Sequence, residues 1–209
     1  MTTKRFLALA GPIGCGKTTL AKLLSRRFDY ELFDEPVIDN RFLAHYYGDM
    51  KRWSFTLQLE FLIKRTAHHE LIETVPKSCI QDRTLLEDPE IFAKYLHGLG
   101  HMNDDELQLY LEYFERLNRH VRQPDKVIYL QCHDVDTLMR RIKTRGRREE
   151  SSIASDFLSG LNGFYMAFPS VLKSKYGVET MTFDVTHFDV HDPKQAEAFL
   201  ALAEPFINN

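Results

Sequence analysis

The chain reads as an α/β protein built on a five-stranded parallel sheet with helices on both faces. Three observations carry that reading. Short apolar or β-branched runs alternate with longer stretches of helical periodicity. The first run, Phe6–Ala10, passes directly into a glycine-rich turn, and two later runs end in the charged pairs Asp34-Glu35 and Asp82-Arg83. The strands are expected at 6–10, 31–33, 79–81, 127–131 and 178–182, with helical patterns filling most of the gaps. Open sheets of this kind bind ligands outside the carboxyl ends of their strands, so all three polar segments should gather on one edge.

A chain of 209 residues, 44% hydrophobic and 27% charged, fits one ordinary globular domain over 1–209. Its formal net charge of −3 gives no general attraction to nucleic acid, and small ligands fit better. Cys15, Cys79 and Cys132 show no C-x-x-C spacing and read as small core or loop residues in a reducing cytosol rather than zinc ligands. Lys4 and Arg5 precede an apolar run too short for a signal peptide, and no stretch is long enough to span a bilayer. Repeats and low-complexity segments are absent.

Taken in order, the first strand leads into Gly11, Pro12, Ile13, Gly14, Cys15, Gly16, Lys17, Thr18 and Thr19, which fits G-x-x-x-x-G-K-[ST]. Such a turn lets successive backbone N–H groups converge on phosphate oxygens, with the positive end of the next helix behind them. Lys17 is expected to reach the β- and γ-phosphates of a nucleoside triphosphate and Thr18 to ligate Mg²⁺. Leu20, Leu23, Leu24 and Phe28 give that helix its apolar stripe. The second strand delivers Glu35 to the ligand edge, as a general base for an alcohol acceptor or simply as a turn residue.

A long helix is expected over 51–73, with Phe55, Leu59, Leu62 and Thr66 forming its apolar stripe. Gln58 and Arg65 share one face about 10 Å apart, comparable to the span of a nucleoside. At the end of the third strand Asp82 suits water-mediated Mg²⁺ binding and Arg83 suits the acceptor oxygen or Glu35; a structural ion pair is the alternative. The polar segment 145–155 reads as a loop or lid inside the domain, and Arg140, Arg141, Arg145, Arg147 and Arg148, crowded within nine residues, suit a solvated basic face, a nucleic-acid patch or that lid. The histidines, His68 and His69 among them, lack metal spacing and read as surface residues.

Together these residues resemble the deoxyribonucleoside kinases, in the branch of deoxycytidine, deoxyguanosine and bacterial deoxyadenosine kinases. The likeness runs from about Lys4 to Asp189. It rests on the phosphate loop, Asp34-Glu-Pro-Val37, Asp39-Asn40 with Tyr46-Tyr47, Gln58 with Arg65, Asp82-Arg83-Thr84 with Asp88, and the run from Arg141 to Glu150. Asp82 stands where many members carry glutamate and Thr84 where serine is common, exchanges that keep the chemistry.

The resemblance implies a P-loop kinase with an arginine-rich lid over about 141–155. It implies ATP as donor, Mg²⁺ as cofactor, a homodimer, and a cytoplasmic role in nucleotide salvage. Glu35 would take the proton of the 5′-hydroxyl with Arg83 beside it. Gln58 would pair with the base, and Arg65 with Asp88 would form a charged pair at its edge that argues against thymidine. Tyr47 and Glu150 would grip the 3′-hydroxyl, and Phe92, or else Trp53, would stack on the base. Arg141, Arg145 and Arg147 would stabilise the transferring phosphoryl group. His187 and Phe188 would pack on the donor's adenine.

Overall fold

The computed structural model describes residues 4–35, 40–147 and 150–209. Its centre is Phe6–Ala10 (β1), every residue of which is buried. Glu31–Phe33 (β2), Cys79–Asp82 (β3), Lys126–Gln131 (β4) and Glu179–Asp184 (β5) complete one sheet in the order β2-β3-β1-β4-β5. All four pairings are parallel, as the alternation of strand and helix requires.

Alternation of side chains along β1 divides the core in two. Phe6, Ala8 and Ala10 face a layer built from Met50–Thr74 (α3), Asp104–Asn118 (α5) and Ser155–Tyr176 (α7). The β3–α5 connection contributes a π-helical turn, Asp88–Ala93, continued by Lys94–Gly98 (α4). Leu7 and Leu9 face the other layer, formed by Lys17–Phe28 (α1), Val135–Arg145 (α6) and Pro193–Asn208 (α8). Leucines buried this fully contribute about 1.5–3 kcal/mol each. The short helix Leu43–Gly48 (α2) packs on α3 beside the ligand edge.

The five strands fall where the sequence places them, with shifted ends. β3 runs on to Asp82, because its backbone continues the ladder opposite Leu9 whatever the side chain. β5 starts after Val178, whose N–H closes the end of α7 by bonding the Leu172 carbonyl, and extends to Asp184 opposite Gln131. The long helix exceeds its expected span by one residue at each end.

His69 corrects the surface reading. It is buried against the edge of the Phe6 ring, centroids 5.3 Å apart, with Nδ1 2.8 Å from the Arg122 carbonyl oxygen. Burial first, and then nearby charge, lowers its pKa to about 4, so it stays neutral. Pro36, Val37, Asp39, Arg148 and Glu149 lie outside the described residues. Among the described residues no helix is long and apolar enough to cross a membrane.

Candidate active site

The loop between β1 and α1 takes its shape from glycines at positive φ, Gly14 at 84° and Gly16 at 98°. A Cβ on Gly14 would sit 2.8 Å from the Leu138 carbonyl oxygen, so α6 packs against bare backbone. Lys17 is buried, and its ammonium donates to the carbonyls of Gly11 (2.8 Å) and Pro12 (3.0 Å). Cys15 packs behind the loop, and burial pushes its thiol pKa up. The Thr18 hydroxyl donates to one oxygen of Asp82, whose other oxygen is buried without a hydrogen-bond partner.

Beyond β3, Arg83 adopts φ 73°, a left-handed conformation costly for a residue with a side chain. That turn aims its guanidinium at three groups. Nε bonds Glu35 Oε1, while Nη1 donates to the Tyr165 hydroxyl (2.6 Å) and Glu87 Oε1 (3.3 Å). The same guanidinium lies 4.7 Å from the centroid of Phe92. Glu35 also faces Arg65 Nη2 at 3.5 Å. Burial alone would raise the pKa of Glu35; the opposing fields of Arg83, Arg65 and Lys17 win and hold it at about 2.

The buried face of α3 carries polar groups as well as core residues. Gln58 and Arg65 are 3% and 2% exposed, against the ordinary preference of such side chains for solvent. Arg65 Nε bonds Asp88 Oδ2 at 2.7 Å, and its Nη1 is buried without a partner, as is Gln58 Oε1. Asp88 opens the π-helical turn and Phe92 lies four residues on, so both face the same space. Burial raises the Asp88 pKa to about 6, against the lowering influence of Arg65 and then Arg83.

On the opposite wall, Glu150 pairs with Arg145 and, at 3.3 Å, with Arg147. Tyr47 neighbours this group; burial and the charges of Glu150 and Glu35 raise its phenol pKa, keeping it a hydrogen-bond donor. Arg141 also lines the site, while its Nη2 donates to the carbonyls of Val185 and Phe188, each at 2.7 Å, tying α6 to the loop after β5. Phe188 packs edge-on to Phe183, with centroids 5.1 Å apart. One cavity of about 560 Å³ joins these parts, from the phosphate loop and Glu35 to Gln58, Asp88 and Glu150. That volume is ordinary for a small-molecule site.

The sequence profile of the family described as deoxynucleoside kinase matches residues 7–208. The chain belongs to the deoxynucleoside kinase family. It is 35% identical over 162 residues to a deoxyadenosine kinase of Dictyostelium discoideum, covering 78% of this chain and 65% of that protein. It is 32% identical over 165 residues to a deoxyguanosine kinase of Bacillus subtilis (strain 168), covering 79% of this chain and 78% of the relative. Among solved structures, a deoxyadenosine kinase from M. mycoides with bound dATP superposes with a TM-score of 0.83 at 30% identity. That match covers 96% of this chain and 99% of the other. The kinase therefore has the P-loop kinase fold and phosphorylates deoxynucleosides.

Two expected site residues of the kinase, Trp53 and His187, stand apart from the cavity. Trp53 lies outside its lining, stacked between Phe42 (5.6 Å) and His45 (5.0 Å), whereas Phe92 lines it. His187 is exposed and outside the lining, while Phe188 and His191 belong to it. Arg141 and Arg145 are the last turns of α6, so the stretch 141–155 begins as helix and leaves it only at Gly146. Glu87 and Tyr165 went unremarked in the sequence; Thr84-x-x-Glu87 was the available signal for the first, and nothing local marks the second.

Proposed function

We propose that this kinase transfers the terminal phosphoryl group of ATP to the 5′-hydroxyl of deoxyadenosine, deoxyguanosine or deoxycytidine in preference to thymidine, yielding 5′-monophosphates for nucleotide salvage. The observation that carries the proposal is the Glu35–Arg83 pair, set in one cavity with the phosphate loop and with buried Gln58, Arg65 and Asp88.

The loop amides and Lys17 bind the donor phosphates. Thr18 and Asp82 fit a divalent cation, since a buried carboxylate oxygen without a partner beside a hydroxyl is a hard oxygen donor set of the kind Mg²⁺ takes together with phosphate. Mg²⁺ held there would neutralise charge on the phosphates. With a pKa near 2, Glu35 is ionised at any working pH; it aligns the acceptor hydroxyl by accepting its hydrogen bond and takes the proton as the new P–O bond forms. Arg83 holds Glu35 in place. Arg145, at the end of α6, and Arg147 line the cavity beside the phosphate loop and would turn from Glu150 to the phosphoryl group when the donor binds, and Arg141 holds the loop at Phe188 where the donor base would pack. Tyr47 and Glu150 serve the 3′-hydroxyl and Phe92 stacks on the base.

The base edge meets Gln58 Oε1 and Arg65 Nη1, both short of partners. A base that satisfies them gains, and one that leaves them unpaired costs about 1–3 kcal/mol per group. A thymine ring presents an imide edge and a methyl to the Arg65–Asp88 pair. The relatives' names, deoxyadenosine, deoxyguanosine and deoxyadenosine/deoxycytidine kinase, support this choice of bases. A nucleoside monophosphate acceptor would need free cations for its phosphate, and Arg83 and Arg65 are already committed to carboxylates.

ADP release with ATP, Mg²⁺ and each of the four deoxynucleosides tests the reading. Turnover on the adenine, guanine or cytosine substrate without thymidine is expected, and thymidine as best substrate would overturn the base preference. Glu35→Gln should lower kcat by about 10²–10⁴ with folding and ATP binding retained; unchanged turnover sinks the proton-acceptor role. We also assign a cytoplasmic homodimer, supported by exposed apolar Ile63 on α3 and Phe164 and Met166 on α7, and by three free, buried cysteines.

A further inference from the structure

Glu87 is fully buried, and its two carboxylate oxygens have different partners. Oε2 accepts from the Thr84 N–H at 2.6 Å, while Thr84 Oγ1 accepts from the Glu87 N–H at 3.2 Å. This reciprocal arrangement is a capping box, and it stabilises the turn that follows Arg83. Oε1 is left over from capping, and three donors converge on it: the Gly11 N–H (3.1 Å), Arg83 Nη1 (3.3 Å) and the Tyr165 hydroxyl (2.7 Å). The Tyr165 hydroxyl in turn accepts from Arg83 Nη1 at 2.6 Å.

Capping alone would make no demand on Tyr165, which arrives from α7, 78 positions along the chain. Nor would it require the residue that opens the phosphate loop. A buried carboxylate needs compensation on every side, and here the compensation comes from the donor loop and from the cation that holds Glu35. We infer that Glu87, oriented by Tyr165, is a positioning residue that fixes Arg83 against Glu35 and ties this pair to the start of the phosphate loop, holding acceptor and donor in register. The inference rests on the roles proposed above for Glu35 and Arg83.

Tyr165→Phe and Glu87→Gln test it, with Glu35→Gln measured in parallel. Tyr165→Phe removes one hydroxyl, leaves the Thr84–Glu87 cap untouched, and keeps the variant set informative should Glu87→Gln fold poorly. Loss of register is expected to lower kcat by about tenfold to a hundredfold while the KM values for ATP and deoxynucleoside stay within about twofold. Replacing Glu87 by Asp, which keeps the charge at shorter reach, should give back less activity than wild type and more than Gln. A Tyr165→Phe enzyme with wild-type kcat, or a loss confined to melting temperature in both variants, overturns the inference. If Glu35→Gln is inactive while both others turn over normally, the Glu87 inference alone fails; if Glu35→Gln retains full turnover, the underlying assignment of the base fails first.

Discussion

Glu35 and Asp88 share one cavity and one arginine, yet their titrations run in opposite directions. Arg83, Arg65 and Lys17 overcome burial at Glu35 and take it from 4.5 to about 2, while burial prevails at Asp88 and takes it from 3.8 to about 6. The Glu35 contribution to stability is thus present above its unfolded pKa and is lost as pH falls through 2. The Asp88 contribution is present below 3.8 and is lost as pH rises through about 6. Catalysis should report Asp88 first. Below about pH 6 its protonation leaves Arg65 without its main counter-charge, so KM for the deoxynucleoside should rise on acidification while Glu35 stays ionised. An Asp88→Asn enzyme, already uncharged, should have high KM at all pH values and no such acidic limb. An unchanged limb in that variant would move its origin away from Asp88. The pattern of Gln58, Arg65 and Asp88 was legible in the sequence; the direction of the Asp88 shift was not, because it depends on burial by α3 and α5, elements remote in the chain.

The phosphate loop and α6 show how elements hold one another. Gly14 lets α6 approach so closely that a methyl group would meet the Leu138 carbonyl and Ile142 Cγ1 at 2.8 and 2.9 Å. Gly14→Ala should therefore cost about 1–3 kcal/mol and raise KM for ATP, since displacing α6 moves Arg145 as well as the loop. Gly146→Ala, also at positive φ (69°) but with its nearest contact at 4.0 Å, supplies strain without collision and should cost about 1–2 kcal/mol, leaving KM near wild type. Equal effects on melting and KM would remove the packing argument. Motif and strand-helix order made the loop readable from sequence. Arg141 was not readable in the same way: a run of arginines near a lid suggests phosphate contacts, and only the path of the loop after β5 shows that this one holds the carbonyls of Val185 and Phe188.

For the whole molecule, apolar runs and their spacing were enough to place five strands and the long helix: the inner strands β1, β3 and β4 are buried on both faces of a covered sheet, and the partly exposed edge strands β2 and β5 were marked by shorter or β-branched runs. Long-range partners such as Glu87 with Tyr165, or His69 with Phe6, have no local signature and required the fold. Light scattering of the purified kinase should give twice the chain mass, and Ile63→Asp should shift it toward a single chain if α3 lies in the interface; a monomeric wild type would overturn the dimer. The two-layer arrangement around β1 has a further consequence. Gly14, Lys17 and Arg145 belong to the layer of α1 and α6, whereas Gln58, Arg65, Asp88 and Tyr165 belong to the layer of α3 and α7. In the proposed reading the sheet separates the residues that would hold the triphosphate from those that would choose the base, and the bonds Gly11–Glu87 and Thr18–Asp82 join the two sides at its edge. Substitutions confined to Gln58, Arg65 or Asp88 should therefore change which deoxynucleoside is preferred while KM for ATP, set by the loop before α1, stays near wild type.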